Sequence, residues 1–461
     1  MDERRLERAL RQGPPFATRY VPTSLSLDEQ LVARRAVSVG RLVLIVAVTA
    51  LLLIGMLAGL AALGAFRDDE RPPDAANGWV AFARSSDPSG LGERDISLVR
   101  EGQAAHRIIG SDSDGLDQIC PAFSSDGARL AHGAAEGTGD TGYRGAALVI
   151  SDVDAAGNAA ESLRIDVGGT LPPPCANWSP DGRMVAFGVP AASPINPGQP
   201  AIWSELWVVT LEGLEIDVVP DVFASDLDWS PDGNQLAMVS GHTDPVDSNR
   251  WRDGAISLYS VGSGEIRALV GPSGVSSLSW SPDGRGIAFQ RGTPEGRNQE
   301  IWVAEVDGSA EYLLASGFST DHGIGPVWSP AGDWIVYQRI CDTNPSIPTA
   351  PCREESEVVL IPSDGELGGR LPGDGEVVRP HLQLPGADES GLWFPFRVTW
   401  SPDGKELLYT AWGRDSIALI AVPIDPSSPP IVLHAGSDIS VYDGDGAVPI
   451  QSWGSRVEEQ P

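Results

Sequence analysis

Short apolar runs alternate with polar turn segments over most of this chain. Runs such as Met184-Val185-Ala186-Phe187 and Gly286-Ile287-Ala288-Phe289 have the length and the β-rich composition of strands. A second strand follows each run, for example Leu206-Trp207-Val208-Val209, and then a shorter third one, for example Tyr312-Leu313-Leu314. Together with a strand that ends in an aromatic residue, each unit is predicted to hold four strands.

A tight-turn motif, an aromatic residue followed by Ser-Pro-Asp-Gly, marks each unit. Pro supplies the φ angle of the second turn position, Asp suits the third, and Gly accepts the left-handed conformation of a bulge, so the motif predicts a hairpin. The four full copies and two degenerate ones are Trp178-Ser179-Pro180-Asp181-Gly182, Trp229-Ser230-Pro231-Asp232-Gly233, Trp280-Ser281-Pro282-Asp283-Gly284, Trp400-Ser401-Pro402-Asp403-Gly404, Phe123-Ser124-Ser125-Asp126-Gly127 and Trp328-Ser329-Pro330-Ala331-Gly332.

The spacing of the motif predicts a propeller. Four strands repeating at about 50 residues is typical of propeller blades, whose aromatic residues fill the core between adjacent sheets. Trp79-Val80-Ala81-Phe82 and 95–99 predict the second and third strands of a blade that lacks its first strand, and 450–455 would supply that strand. We therefore predict an all-β fold, a seven-bladed β-propeller of four-stranded blades, closed by the C-terminal strand.

An apolar run from Leu42 to Phe66 contains no charged residue. At about 1.5 Å per residue it exceeds a hydrocarbon core of roughly 30 Å, which predicts one N-terminal transmembrane helix. Arg34, Arg35 and Arg41 precede the run, so the positive-inside rule places the N-terminus in the cytoplasm and the propeller outside the plasma membrane. A cleaved signal peptide of the twin-arginine type is the alternative.

These predictions divide the chain into five parts. They are a cytoplasmic tail at 1–41, a transmembrane helix at 42–66, a linker at 67–77, the propeller at 78–456 and a disordered C-terminal tail at 457–461.

Charge is concentrated in the part predicted to lie outside the membrane. The chain has 32 basic and 63 acidic residues; residues 1–66 hold 8 and 5 of them, which leaves 24 and 58 for residues 67–461, a net charge of −34. Such a surface repels nucleic acid, which excludes nucleic-acid binding as a function. It serves solubility alone, or it attracts cations and basic partners.

All four cysteines lie in the same part, where disulfides persist. Cys341 and Cys352 flank a short polar loop, so a local disulfide is predicted there. Cys120 and Cys175 each stand three residues ahead of a motif aromatic, at equivalent places in neighbouring blades. A second disulfide between those blades is a hypothesis.

The Trp-Ser-Pro-Asp-Gly copies resemble the repeat of TolB-type, WD-repeat-like propellers, over about residues 78–456. The resemblance implies the propeller fold. Propellers of this family occur as protein-binding scaffolds, as sensory ectodomains and as the lid domain of prolyl-oligopeptidase-type peptidases. The Tol component itself resembles a soluble six-bladed propeller with an added α/β domain, whereas a membrane anchor and seven blades are predicted here.

Polar residues that precede the first strands of several blades are the candidate binding residues. If they converge at the channel mouth, they would hold a hard cation such as Ca²⁺ or a basic patch of a partner; otherwise they are ordinary turn formers. The long segment before Trp400 adds aromatic candidates, which either recognise a partner or pack on the rim. The candidates are Asp112, Asp114, Asp117, Asp226, Asp228, Asp321, His322, Asp443, Asp445, Trp393, Phe394 and Phe396.

No catalytic motif accompanies the repeat. The sequence lacks the Gly-x-Ser-x-Gly elbow of α/β hydrolases, and its six histidines are scattered singly. These absences predict a protein that is not an enzyme and that needs no cofactor, apart from the hypothetical Ca²⁺. The predicted function is a membrane-tethered extracytoplasmic scaffold or sensor that binds a protein or small ligand at the propeller face. The alternatives are an anti-sigma-like or receptor-like signalling protein, and a hydrolase or lyase acting on an extracellular sugar or peptide.

Overall fold

The computed structural model of the chain describes a large β-structure within Asp74–Pro461, the larger of its two compact units. Every regular element in the described ranges is a β-strand. The described residues are 77–85, 93–110, 115–137, 143–168, 174–191, 203–220, 222, 226–243, 251–292, 299–318, 325–340, 356–363, 376–377, 394–412, 417–425, 428–436, 439 and 451–455.

The strands form seven four-stranded antiparallel sheets, numbered here as blades in chain order. The first blade contains Asn77–Ser85 (β1), Arg94–Val99 (β2) and His106–Ile109 (β3). The second contains Leu116–Phe123 (β4), Arg129–Gly137 (β5), Tyr143–Val153 (β6) and Ala159–Asp166 (β7). The third contains Asn177–Trp178 (β8), Met184–Ala191 (β9), Trp203–Thr210 (β10) and Glu215–Val219 (β11). The fourth contains Leu227–Trp229 (β12), Gln235–Thr243 (β13), Trp251–Ser260 (β14) and Ile266–Val270 (β15).

The remaining blades follow the same order. The fifth contains Val275–Trp280 (β16), Gly286–Gly292 (β17), Gln299–Glu305 (β18) and Glu311–Phe318 (β19). The sixth contains Val327–Trp328 (β20), Trp334–Ile340 (β21), Ser356–Pro362 (β22) and Glu376–Val377 (β23). The seventh contains Phe394–Trp400 (β24), Glu406–Trp412 (β25), Ile417–Pro423 (β26) and Ile431–Gly436 (β27). The last strand, Gln451–Ser455 (β28), completes the first blade.

Closure of the ring takes place in this first blade. β28 pairs antiparallel with β1, with Trp453 opposite Val80 and Gln451 opposite Phe82. The pairing gives the first blade the strand that its own segment lacks and covers an otherwise open edge. The predicted seven-bladed propeller with a closing C-terminal strand is confirmed.

The core lies between adjacent blades, because each sheet buries both faces against its neighbours. Leu206 and Val208 of the third blade, for example, pack with Leu236 and Met238 of the fourth. The motif aromatics belong to this core, as predicted: Trp229, Trp280 and Trp400 are buried. Indole N–H groups also link blades, as where Nε1 of Trp229 donates to the carbonyl oxygen of Asn177 at 3.1 Å.

Each full motif closes its turn with the same hydrogen bonds. In the third blade, Oγ of Ser179 donates to Oδ1 of Asp181 at 2.7 Å, and Oδ1 of Asp181 accepts from the backbone N–H of Arg183 at 3.0 Å. Oγ of Ser179 also accepts from the backbone N–H of Met184 at 2.9 Å, while Gly182 takes a φ of 66°. These bonds, chiefly the one from Ser179, lower the pKa of Asp181. The motif therefore carries its own local hydrogen-bond network.

The sixth blade forms two of these hydrogen bonds, one of them with a carboxylate from a different position. Its motif has Ala331 at the Asp position, but Oγ of Ser329 donates instead to Oδ1 of Asp333 at 2.8 Å. Oγ of Ser329 still accepts from the backbone N–H of Trp334 at 3.0 Å. A carboxylate displaced by two positions thus replaces the missing one.

Within the described ranges there is no helix long and apolar enough to cross a membrane. Residues 42–66, where the sequence predicts such a helix, lie outside those ranges.

Candidate functional site

The innermost strands of the blades place the candidate residues. Each Ser-Pro-Asp-Gly turn joins a first strand to a second strand, so these turns share one face of the ring, here named the turn face. The residues that begin the first strands lie toward the opposite face, here named the entry face. Asp117 and Cys120 lie in the first strand β4 of the second blade, Asp228 lies in the first strand β12 of the fourth blade, and Asp226 directly precedes β12.

The position three residues ahead of the motif aromatic is where neighbouring blades touch. Cys120 of the second blade and Cys175 of the third form a disulfide, with their Cα atoms 5.2 Å apart. This confirms the hypothesis that rested on their equivalent places in the repeat. Cys341 and Cys352 lie outside the described residues.

The same position also forms contacts farther around the ring. Oδ2 of Asp226 in the fourth blade accepts from the backbone N–H of Leu278 in the fifth at 2.9 Å. In the sixth blade the position is Gly325, where a Cβ atom would lie 1.7 Å from Oγ of Ser277 in the fifth. Glycine is therefore needed at 325 because the two inner strands approach too closely for any side chain.

Asp228 makes the second contact between the fourth and fifth blades. Its Oδ2 accepts from the backbone N–H of Trp280 at 2.6 Å. Burial, and to a smaller extent the negative charge of Asp226, raises the pKa of Asp228 to about 7. A carboxyl that exchanges its proton near neutral pH is a feature that active sites share with structural networks.

Asp117 is held by a buried ion pair. Nε of Arg94 donates to its Oδ1 at 2.7 Å and Nη2 to its Oδ2 at 2.5 Å, and the backbone N–H of Arg94 adds a bond to Oδ1 at 3.2 Å. Arg94 begins β2 in the first blade, so this fork joins the first and second blades. Nothing in the repeat pattern identified Arg94; its place at the start of a strand was the only signal.

Of the candidate carboxylates only Asp117, Asp226 and Asp228 lie in the described residues, so convergence at the channel mouth stays a hypothesis. Asp226 and Asp228 lie together, but Asp117 is two blades away, and each of the three is bonded to the next or the preceding blade. No group of three or more metal-ligating side chains occurs in the ranges that the structure describes. Phe394 and Phe396 are part of β24, opposite Trp412 and Thr410. The candidates that lie outside the described residues are Asp112, Asp114, Asp321, His322, Asp443, Asp445 and Trp393.

Besides Arg94, the sequence did not reveal that His132 is a buried titratable residue. His132 stands five residues after its motif glycine, where the third and fifth blades have Phe187 and Phe289, and its Nδ1 has no hydrogen-bond partner. Burial, and to a smaller extent the positive charge of Arg164, lowers the pKa of His132 to about 3. The ring is therefore neutral and forms part of the core. Alignment of the blades to their glycines would have found it.

Fold and repeat together define the chain as a seven-bladed β-propeller. No family model matches its sequence. It is 26% identical over 198 residues to the uncharacterized peptidase YuxL of Bacillus subtilis (strain 168), a match that covers 35% of this chain and 28% of the relative. The chain thus matches well under two thirds of that relative's length.

Solved structures of propeller proteins share the fold. A structure from a study of two prolyl endopeptidases matches with a TM-score of 0.51 and 16% identity, over 76% of this chain and 47% of the other. TolB from Acinetobacter baumannii matches with a TM-score of 0.41 and 18% identity, over 62% of each chain. At 16% identity the prolyl endopeptidase match shows the fold alone.

The curated relative changes the functional interpretation. The prediction of a non-enzymatic scaffold or sensor is wrong, because a curated relative that matches this sequence is named a peptidase. The error has a physical origin: the turn chemistry that builds a blade is the same in binding propellers and in peptidase propellers. The motif therefore reports the fold and carries no information about catalysis.

Proposed function

We propose that this chain is a peptide hydrolase whose propeller selects the peptides that reach the reaction site. The observation that carries the proposal is the 26% identity to the peptidase YuxL over 198 residues. The shared propeller fold of the prolyl endopeptidase structure is consistent with it. Hydrolysis of a peptide was one of the alternatives drawn from the sequence.

The ring contacts favour selection by a closed propeller. Neighbouring blades are joined by the Arg94–Asp117 ion pair, by the Cys120–Cys175 disulfide, and by the hydrogen bonds of Asp226 and Asp228. These contacts resist separation of two neighbouring blades. A substrate peptide would therefore enter through the central channel or bind on one face of the ring. The net charge of −34 on residues 67–461 favours peptides that carry Lys or Arg.

A panel of internally quenched peptides tests the proposal. The full chain is incubated with matched peptides whose central residues are basic, acidic or proline-containing, and a fluorophosphonate probe is applied in parallel. We expect cleavage of the basic peptides before the acidic ones, and alanine substitution of the labelled serine should abolish it. Absence of cleavage of every peptide together with absence of labelling would overturn the proposal.

We further propose that residues 42–66 tether the propeller to the outer side of the plasma membrane. The uncharged apolar run and the arginines before it support this arrangement. The Cys120–Cys175 disulfide is of a kind that persists outside the cytosol. Protease added to intact spheroplasts should digest the propeller and spare the N-terminal tail; digestion only after lysis would contradict the topology.

A further inference from the structure

An exposed apolar stripe lies on the outermost strand of the third blade. Leu214, Ile216 and Val218 are 48%, 40% and 44% exposed. Among the described residues only one other large apolar side chain is comparably exposed, Ile266 at 44%. Exposed apolar residues scattered singly are ordinary, but Ile216 and Val218 alternate along the edge strand β11 and Leu214 stands in the turn directly before it, so the three are grouped on one edge.

The stripe lies on the face of the third blade that packs against the second blade, at the outer edge of the sheet. Ile216 pairs with Val209, and Val218 pairs with Trp207. Directly opposed residues project from the same face of a sheet. Val209 and Trp207 belong to the core between the second and third blades, so the stripe extends that face to the perimeter.

The other face of the same strand is acidic. Glu215 and Asp217 alternate with the stripe and are exposed. Asp217 pairs with Val208, which packs toward the fourth blade. The charge of Asp217 reaches the fourth blade: the pKa of Tyr259 there is raised, chiefly by burial and to a smaller extent by the negative charge of Asp217.

Leu214 has a strained backbone conformation. Its φ is +50°, a left-handed value that is unfavourable for a residue with a side chain. At the equivalent turn position of the fourth blade stands Gly264, with a φ of +69°. Glycine would adopt this conformation without strain, so the retention of a half-exposed leucine points to use of its side chain.

We propose that β11 is a docking edge for an extended peptide strand whose side chains alternate between apolar and basic. In the described part of the chain β11 pairs only with β10, so its outer edge is free to receive a fifth strand. On one face the incoming side chains meet Ile216 and Val218, and on the other they meet Glu215 and Asp217. This docking edge is the width of three strands away from the inner strand β8, and the inference does not depend on the proposed hydrolase function.

The experiment measures binding of a labelled peptide in which Val and Lys alternate to the full chain in nanodiscs, at physiological salt. We expect binding that weakens about tenfold in the I216Q/V218Q variant, because both apolar contacts are lost. I266Q is the matched control, since Ile266 is equally exposed at the equivalent place of the fourth blade, beside Gly264 and Ala268, and should bind as the wild type does. A peptide N-methylated along its pairing edge should bind poorly.

Two further variants distinguish specific docking from non-specific electrostatic attraction and from a change in the stability of the protein. L214G relieves the strained φ, so its melting temperature should be equal to or higher than the wild-type value while peptide binding weakens. E215K/D217K should transfer the preference to a peptide in which Val and Glu alternate. Failure of the wild type to bind the Val-Lys peptide would overturn the proposal. Equal binding by wild type and I216Q/V218Q would overturn it as well, because the attraction would then be electrostatic only.

Discussion

Oδ2 of Asp228 accepts a hydrogen bond from the backbone N–H of Trp280 at 2.6 Å, across the boundary between the fourth and fifth blades. Two residues earlier, Asp226 bonds in the same way to the backbone N–H of Leu278. The pair therefore acts as a short side-chain ladder between two inner strands. Because two carboxyl groups are held close together in a partly buried place, the protonation of this ladder is coupled to the stability of the ring.

Asp228→Asn should remove the loss of folding stability that accompanies ionisation of Asp228. The folded pKa of about 7 lies above the unfolded value of 3.8, so the wild type loses stability as pH rises from about 4 to about 7 and is level above that. Asn keeps an oxygen acceptor for Trp280 and has no charge. We expect D228N to be about 2–4 kcal/mol more stable than the wild type at about pH 8, with a smaller difference at about pH 4.

Chemical denaturation followed by tryptophan fluorescence at several pH values measures this difference. Asp226→Asn is the companion variant: it removes the neighbouring negative charge and should lower the pH at which Asp228 ionises. Parallel pH profiles for D228N and the wild type would contradict the prediction.

His132→Phe should stabilise the protein in acid. The folded pKa of about 3 lies below the unfolded value of 6.5, so the stability that the neutral ring provides is present above about pH 6.5 and is lost as pH falls toward 3. Phenylalanine cannot take up a proton in the unfolded state, so the gain of H132F over the wild type should be about 2 kcal/mol larger at about pH 5 than at about pH 8.

Met238 occupies the same place in the fourth blade, five residues after its motif glycine, and is also buried. Met238→Phe is therefore the matched control, and its effect on melting temperature should be the same at both pH values. A gain for H132F that does not depend on pH would show that the stabilisation comes from packing alone.

Removal of the inter-blade disulfide should destabilise the ring. Cys120 and Cys175 are separated by 55 positions, and loss of such a cross-link frees a long loop in the unfolded chain, which costs about 2–4 kcal/mol. C120S/C175S should therefore melt well below the wild type under non-reducing conditions. Ser277→Ala changes the equivalent position of the fifth blade, where Oγ has no hydrogen-bond partner, and should have little effect. Equal melting temperatures for the two variants would contradict this account.

Asp333→Ala should destabilise the sixth blade by about 1 kcal/mol, because Ser329 would lose the acceptor that its motif otherwise lacks. Adding Ala331→Asp restores the carboxylate at the ordinary motif position and should recover most of the loss. Melting temperatures of the wild type, the single variants and the double variant measure the coupling between the two positions. An additive result would mean that Asp333 does not serve as the substitute.

Much of the architecture follows from local chemistry. The turn motif, the period of two in the strands and the recurrence of the unit predicted the seven blades, because each depends on a few consecutive residues. The same periodicity predicted that β28 would complete the first blade, and it placed Cys120 and Cys175 at equivalent positions, which made their disulfide a reasonable hypothesis.

Tertiary structure alone decided how the polar residues are used. Asp117, Asp226 and Asp228 look alike in the sequence, yet each bonds to a neighbouring blade through Arg94, Leu278 or Trp280, partners that local patterns do not reveal. The exposure of Ile216 likewise depends on β11 being the outermost strand of its sheet. Local sequence determines the turns and strands because their energies come from near neighbours, whereas hydrogen-bond partners and exposure are properties of the closed ring.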